Sequence, residues 1–382
     1  MKILITISRI LVGLLFIFSG LIKANDPHGL SYKMQEFFEL WGMEKFNSWT
    51  LVFSVLMNAF EIIAGFALLL GWRIRLFIWL LLLLILFFTF LTGYAYLSGK
   101  VRECGCFGDC IPLTAGQSFS KDLILLVLIL FLFFVQRRIK PLLSQAANIA
   151  LLVVATVLSV AFQWYVLIHL PAVDCLPYRA GTNMPEKMKA PPGSIPDSTV
   201  ITMIYNKNGQ QVEIVGNNFP ADFDDSYKFV SRYDKLVRKG NAEPAIKDFV
   251  LLTEAGTDTT QAVLEQEGFK IFIFTKELEE YPAPWVKEFS LIYTMAKAKH
   301  IPLYFITGNY DNVVDWTRKA GIIEGVSILK CDGVAIKTAA RANPTLYLLK
   351  KGTILKKWSY ADFGLALPSI NELPAATTVN QP

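Results

Sequence analysis

Cys104, Cys106, Cys110, Cys175 and Cys331 are the side chains of this sequence best able to do chemistry, and the first three lie in one short run. That run reads Glu103-Cys104-Gly105-Cys106-Phe107-Gly108-Asp109-Cys110, with glycines that permit the tight backbone a close dithiol needs. Cys175 sits in Asp174-Cys175-Leu176-Pro177-Tyr178, within reach of the run if both lie on one membrane surface. Three chemistries fit. A structural disulfide, for instance Cys104 or Cys110 with Cys175, would tie two loops together. Dithiol exchange would have a thiolate of Cys104 or Cys106 attack a disulfide sulfur while another of the three resolves the mixed disulfide. A soft metal site could draw on Cys-x-Cys-x3-Cys with His169 or Cys175, but the paired Cys-x2-Cys knuckles of zinc sites are missing, so no metal is assigned. An odd cysteine total leaves at least one thiol without a permanent partner.

The elements that must hold these cysteines are mostly apolar. Of 382 residues 53% are hydrophobic and 18% charged, which excludes an ordinary soluble enzyme. Residues 1–170 hold 13 Lys and Arg against 8 Asp and Glu, so the net +5 belongs wholly to this half, and the balanced remainder argues against nucleic-acid binding. Five segments are long enough to cross a bilayer: 4–22, 52–71, 76–97, 119–135 and 149–169. In the fourth the hydrocarbon core is short, which places Phe119, Lys121 and Asp122 in the interface. Lys2, Arg73, Arg75, Arg137, Arg138 and Lys140 mark the cytoplasmic loops, so every cysteine and everything after residue 170 faces outward. A cleaved signal peptide is the alternative for the first segment, which Arg9 interrupts.

Ionisable residues inside a bilayer need partners. Glu61 lies mid-segment and Arg9 is about a turn and a half into the first segment, so an Arg9–Glu61 pair is expected, with Asn58 one turn away on the Glu61 face. The pair would be a packing clamp or a proton or quinone contact.

Six prolines between Pro171 and Pro196 make residues 171–199 a stiff linker that forbids helix or central strand. Val200–Tyr205 and Gln211–Val215 read as a hairpin around Asn206-Lys-Asn-Gly209, and Asp224–Lys239 reads as a charged helix. From residue 244 strands and helices alternate: strands 269–274, 301–306 and 326–329, helices 284–299, 311–320 and 334–341, then a hairpin of 345–350 with 353–358. This predicts a mixed sheet covered by helices. His28 and His300 have no acidic or nucleophilic company and take no role.

Two resemblances follow. The order Arg9-Ile-Leu-Val-Gly-Leu-Leu-Phe-Ile-Phe-Ser-Gly-Leu-Ile-Lys23, then Glu61-Ile-Ile-Ala-Gly65, then Cys104-Gly-Cys-Phe-Gly108 resembles the DoxX/MauE group of four-helix membrane proteins over residues 1–136. MauE-like proteins are associated with methylamine utilisation and the maturation of a disulfide-rich periplasmic dehydrogenase; other DoxX-like proteins accompany quinone-linked sulfur oxidoreductases. The resemblance implies envelope thiol chemistry in a bacterial inner membrane, of a form familiar from Bacteroidetes, with quinone as a cofactor option. Asn343-Pro344-Thr345 before a strand resembles the cis-proline hairpin of the thioredoxin family, and Pro244–Phe249 resembles the entry to its peroxiredoxin and TlpA-type branch, over 244–360. That family places reactive cysteines just after its first long strand, where Thr275–Trp285 holds none. The implied domain is redox-inactive, binding a client through Pro344, with Cys331 a lone exchange thiol or a small apolar residue.

The expected fold class is an all-α transmembrane bundle, four DoxX-like helices plus a fifth, with a C-terminal α/β thioredoxin-like extracytoplasmic domain. The expected divisions are 1–136, a fifth helix in 137–170, a linker 171–199, a hairpin and helix 200–240, the α/β domain 241–366 and a polar tail 367–382. Two functions compete: a possible membrane thiol-disulfide oxidoreductase that handles an envelope client, with electrons passing through the bundle near Glu61, or a non-catalytic scaffold subunit. The lipid bilayer and an envelope protein are the expected partners.

Overall fold

The computed structural model describes residues 1–99, 107–196, 198–238, 240, 242–322 and 324–375, so Cys104 and Cys106 lie outside the described residues. Five helices are long and apolar enough to cross a membrane: α1 (Lys2–Asn25), α3 (Thr50–Leu70), α4 (Ile74–Ser98), α5 (Ala115–Val135) and α6 (Gln145–Ile168). Between the first two stands α2 (Pro27–Leu40), a helix not among the expected elements. Asp26 caps it by accepting from the Gly29 amide at 3.1 Å, and Pro27 occupies its first position, where a missing N–H costs nothing. Its Ser31 hydroxyl meets that of Thr50 at 2.9 Å, and the Ser54 hydroxyl donates to the Pro27 carbonyl at 2.7 Å, which seats α2 across the start of α3.

α1 and α3 approach closely because glycines face one another. A Cβ on Gly65 would stand 2.7 Å from the Gly13 carbonyl oxygen, and one on Gly13 would stand 2.6 Å from the Leu69 side chain. α5 begins earlier than expected, at Ala115, behind a reciprocal Thr114/Gln117 capping box. Lys121 and Asp122 are therefore inside the helix. Asp122 is 1% exposed and is held by Lys121 and the Thr92 hydroxyl. The Gly71–Arg73 and Gln136–Ser144 connections share one end of the bundle, where Leu142 donates to the Leu70 carbonyl. The ends of α1, α4 and α6 gather at the other.

After α6 the chain is not a plain linker. Tyr178 and Met184 are core residues, α7 (Met184–Lys187) forms one turn with Pro185 in its first turn, and the Gly181 and Met184 amides donate to Ile354 and Gly352. The helix-free expectation failed because proline is tolerated at a helix start. β1 (Ser198–Lys207), β2 (Gln210–Val215) and β3 (Tyr227–Arg238) form a three-stranded antiparallel sheet with β1 central. The expected helix over 224–239 is thus a strand. Its Tyr227, Phe229, Ser231 and Tyr233 follow a period of two, which the interspersed charges disguised as an amphipathic helix.

The α/β domain contains α8 (Thr260–Glu265), β4 (Phe269–Thr275), α9 (Val286–Ala298), β5 (Leu303–Thr307), α10 (Tyr310–Lys319), β6 (Val326–Lys330), α11 (Gly333–Ala339), β7 (Thr345–Lys350), β8 (Thr353–Ser359) and α12 (Phe363–Asn371). The sheet order is β6-β5-β4-β7-β8, parallel across β4, β5 and β6 and antiparallel across β7 and β8, as the thioredoxin resemblance implies. Strand alternation splits the core: Ile271 and Ile273 face Phe289, Trp316 and Phe363, while Phe272 and Phe274 face Tyr178, Phe249 and Ile336. α12 carries the fold past residue 366, into the expected polar tail.

Candidate functional site

The cysteine loop is tied down by a disulfide between Cys110 and Cys175, whose Cα atoms are 4.8 Å apart. Cys110 closes a 3-10 turn over Gly108–Cys110, within the α4–α5 connection, and Cys175 follows α6. The bridge therefore joins two ends of the same bundle face. The roles expected of Cys104 and Cys106 fall outside the described residues.

Against this loop stands the end of the α/β sheet where thioredoxin-family chemistry resides. Arg341, three residues before Pro344, is 5% exposed and reaches into the membrane domain. Its Nε donates to both Asp26 carboxylate oxygens at 3.0 and 2.8 Å, Nη2 donates to Asp109 at 2.8 Å, and Nη1 donates to the Lys337 carbonyl at 2.6 Å. One guanidinium thus clamps the start of α2 and the residue beside Cys110. Burial opposes its charge, but Asp26 and Asp109 outweigh that cost and hold its pKa above the ordinary value. Tyr32 of α2 lies beneath Lys276, Lys337 and Arg341, each 5.4 to 5.5 Å from its ring centre, and Lys276 Nζ donates to its hydroxyl at 2.6 Å. Burial, with Arg341 and Lys337 nearby, pushes Lys276 down to about 8. His28 stacks on Tyr32 and is pushed down to about 3, first by burial and then by Lys276 and Arg341. A second seam joins Lys357 to Asp174 at 2.7 Å and His169 to Asp362 at 2.8 Å.

The Asn343–Pro344 peptide is cis. Pro344 is buried, and the Asn343 side chain accepts from the Lys276 amide at 2.9 Å and from Thr275 Oγ1 at 3.1 Å. Arg341, three residues before Pro344, is engaged by Asp26, and Lys276, whose amide meets Asn343, is engaged by Tyr32. Cys331 is 7% exposed, and burial pushes its thiol up to about 12, so it carries no thiolate at neutral pH and behaves as a small apolar residue.

Within the bundle the expected Arg9–Glu61 pair does not form; Lys23 takes Glu61 instead. In antiparallel helices each side chain tilts toward its own N-terminus, so Lys23 and Glu61 lean toward each other. Arg9 lies four residues before Gly13, which abuts Gly65, and its side chain leans the other way. Asn58 meets Gln163 of α6 at 3.1 Å rather than Glu61. Lys23 lies 4.9 Å over the Phe88 ring, and Glu61 Oε2 has no hydrogen-bond partner among the described residues. A cavity of 20 Å³ adjoins it, lined among others by Ser19, Lys23, Glu61, Phe107, Lys121 and Asp122. That volume suits one water. No cluster of His, Cys, Asp and Glu among the described residues could hold a metal.

Comparisons with known proteins bear on both halves. The family model "Methylamine utilisation protein MauE" matches residues 1–135, and a domain of unknown function, DUF8463, matches residues 199–239, the three-stranded sheet. Protein TlpB of Flavobacterium psychrophilum is 32% identical over 132 residues, covering 33% of this chain and 35% of that protein's own length. No solved structure matches.

Proposed function

We propose that this membrane protein, whose residues 1–135 form a MauE domain, carries out thiol-disulfide exchange on envelope proteins at its cysteine loop, with the thioredoxin-like domain docked as a fixed cap beside it. The carrying observation is the Cys110–Cys175 disulfide in the loop that also supplies Cys104 and Cys106, clamped through Asp109 by Arg341. A thiolate of Cys104 or Cys106 attacks a client disulfide; the mixed disulfide is resolved by the second thiol, leaving the client as a dithiol and the loop as a disulfide, with two electrons and two protons moved to the client. The protein sits in a bacterial inner membrane with its N-terminus in the cytoplasm and its α/β domain in the periplasm, a reading supported by Arg73, Arg75, Arg137, Arg138 and Lys140 at the end of the bundle opposite the disulfide. Trapping in the full chain tests it. Removing the resolving thiol traps the intermediate, so one of the Cys104→Ser and Cys106→Ser variants is expected to accumulate mixed disulfides with envelope proteins, and their absence in both sinks the exchange mechanism.

A scaffold reading draws on a different observation: the thioredoxin-like domain has no cysteine over Thr275–Trp285, and Cys331 is buried. Under it the cysteines only brace the loop. Thiol mapping by mass spectrometry separates the two, since bracing requires bridges that resist mild reductant and exchange requires a mixed, reducible population.

A further inference from the structure

An aspartate precedes each cysteine of the bridge, in Asp109-Cys110 and in Asp174-Cys175, and each aspartate holds a buried cation of the α/β domain. Asp109 accepts from Arg341 Nη2 at 2.8 Å and Asp174 accepts from Lys357 Nζ at 2.7 Å; the two cations are 5% and 7% exposed. The chain around Cys175 is fastened on both sides. Before it, the Asn25 side chain at the end of α1 donates to the Val173 carbonyl at 2.8 Å and accepts from the Val173 amide at 3.0 Å. After it, Tyr178 enters the α/β core, the Gly181 amide donates to the Ile354 carbonyl at 2.7 Å, and the Ile354 amide donates to the Thr182 carbonyl at 2.9 Å. Cys175 therefore stands at the foot of the α/β domain, next to β8, while Cys110 belongs to the connection between α4 and α5. Their bond crosses the same seam as the Asp109–Arg341 pair. Both cysteines are half-buried, within reach of a dithiol from solvent.

We propose that Cys110–Cys175 is a redox latch: closed, it holds the α/β domain on the α4–α5 connection, and a dithiol that opens it lets the two part. With the bridge closed, Asp109 is already placed for Arg341, and the ion pair forms at little ordering cost. With it open, the Gly108–Cys110 turn gains freedom that the pair alone must oppose. The step balances: the bridge S–S bond and two S–H bonds of the reductant break, while one S–S bond forms on the reductant and two S–H bonds form on Cys110 and Cys175. Two electrons and two protons thus pass to the bridge. The latch goes beyond the exchange reading and does not require it, since it involves neither Cys104 nor Cys106.

The test is hydrogen exchange by mass spectrometry on the full chain in lipid nanodiscs, with and without dithiothreitol, with alkylation counting the opened thiols. On reduction, peptides covering 107–112 and 334–345 should exchange about tenfold faster, a modest rise because Asp26 still holds Arg341. The β4–β5 core should stay protected, and reoxidation should restore the slow rates. Added salt should speed these peptides further in the reduced protein, which relies on its ion pairs, and change little in the oxidised one. The Cys110→Ser/Cys175→Ser variant should show the faster rates without reductant and no response to it; if that variant does not fold, the reduced wild type decides alone. Unchanged exchange with Cys110 and Cys175 counted as open overturns the latch. So does a rise spread over the β4–β5 core, which would make the bridge a staple of the whole fold. Mixed-disulfide trapping bears on the exchange reading alone, so either proposal can fail while the other stands.

Discussion

Replacing Arg341 with methionine keeps the bulk of the side chain and removes the clamp between the two halves. Three hydrogen bonds to two carboxylates disappear. Asp26, 14% exposed, would be left beside an apolar side chain, whereas Asp109, 35% exposed, recovers much of its hydration. Breaking a buried ion pair costs 3–5 kcal/mol in general, and discounting the more exposed partner brings the expectation to about 3 kcal/mol. At 1.4 kcal/mol per factor of ten, that is roughly a 150-fold shift toward the undocked arrangement. Hydrogen exchange by mass spectrometry in nanodiscs reads it directly: peptides covering 26–36 and 334–345 should exchange faster in Arg341→Met, while the β4–β5 core stays protected. Arg341→Lys, which cannot fork two carboxylates, should fall between. Unchanged exchange in those peptides would refute the idea that this guanidinium holds the cap on the loop.

Acid should loosen the same seam through His28. Its folded pKa of about 3 lies below the ordinary 6.5, so its contribution is complete above pH 6.5 and falls as pH drops through that value toward 3, by roughly 2 kcal/mol at pH 5. His28→Gln should remove that part of the acid response in the same exchange measurement, and an unaltered pH profile would contradict the assignment. In Lys23→Met, Glu61 loses the cation paired with it, and thermal unfolding in detergent should report a loss on the order of 3–5 kcal/mol that Lys23→Met/Glu61→Gln largely restores. Additive losses would show that the two do not interact. Cys331→Ala should leave mixed-disulfide trapping unchanged, and native Cys331 should resist alkylation until the domain is unfolded; labelling of the folded protein would overturn its structural role.

The strands and helices of the α/β domain were legible because each apolar run is long and bounded by turn residues, as in Phe269–Thr275 and Leu303–Thr307. The five membrane helices were legible for a simpler reason, their length in hydrocarbon. α2 carried a clear local signal in Asp26-Pro27, an N-cap followed by a first-position proline, yet its modest hydrophobicity hid it between two spans. The partner of Glu61 needed knowledge that spacing does not hold, namely which way each side chain tilts on antiparallel helices. Cys110 was one of two options for Cys175, and only the folded position of the loop chooses between them. The docking of Arg341 on Asp26 and Asp109 joins residues more than two hundred positions apart, and no periodicity records such a contact.

The close fit of α1 on α3 bears on how the chain enters the membrane. A lone carboxylate at the centre of an inserting helix costs about 2.5–3.5 kcal/mol, and Glu61 obtains its cation from a helix made earlier. Lys23, near the end of α1, must wait until some forty more residues have emerged before its counter-ion arrives. α1 and α3 therefore gain by partitioning into lipid as one hairpin with their charges already matched, and the glycine contact at Gly13 and Gly65 lets them meet before α4 to α6 exist. The ion pair thus favours insertion of the first two membrane helices together, with neither charge left alone in lipid.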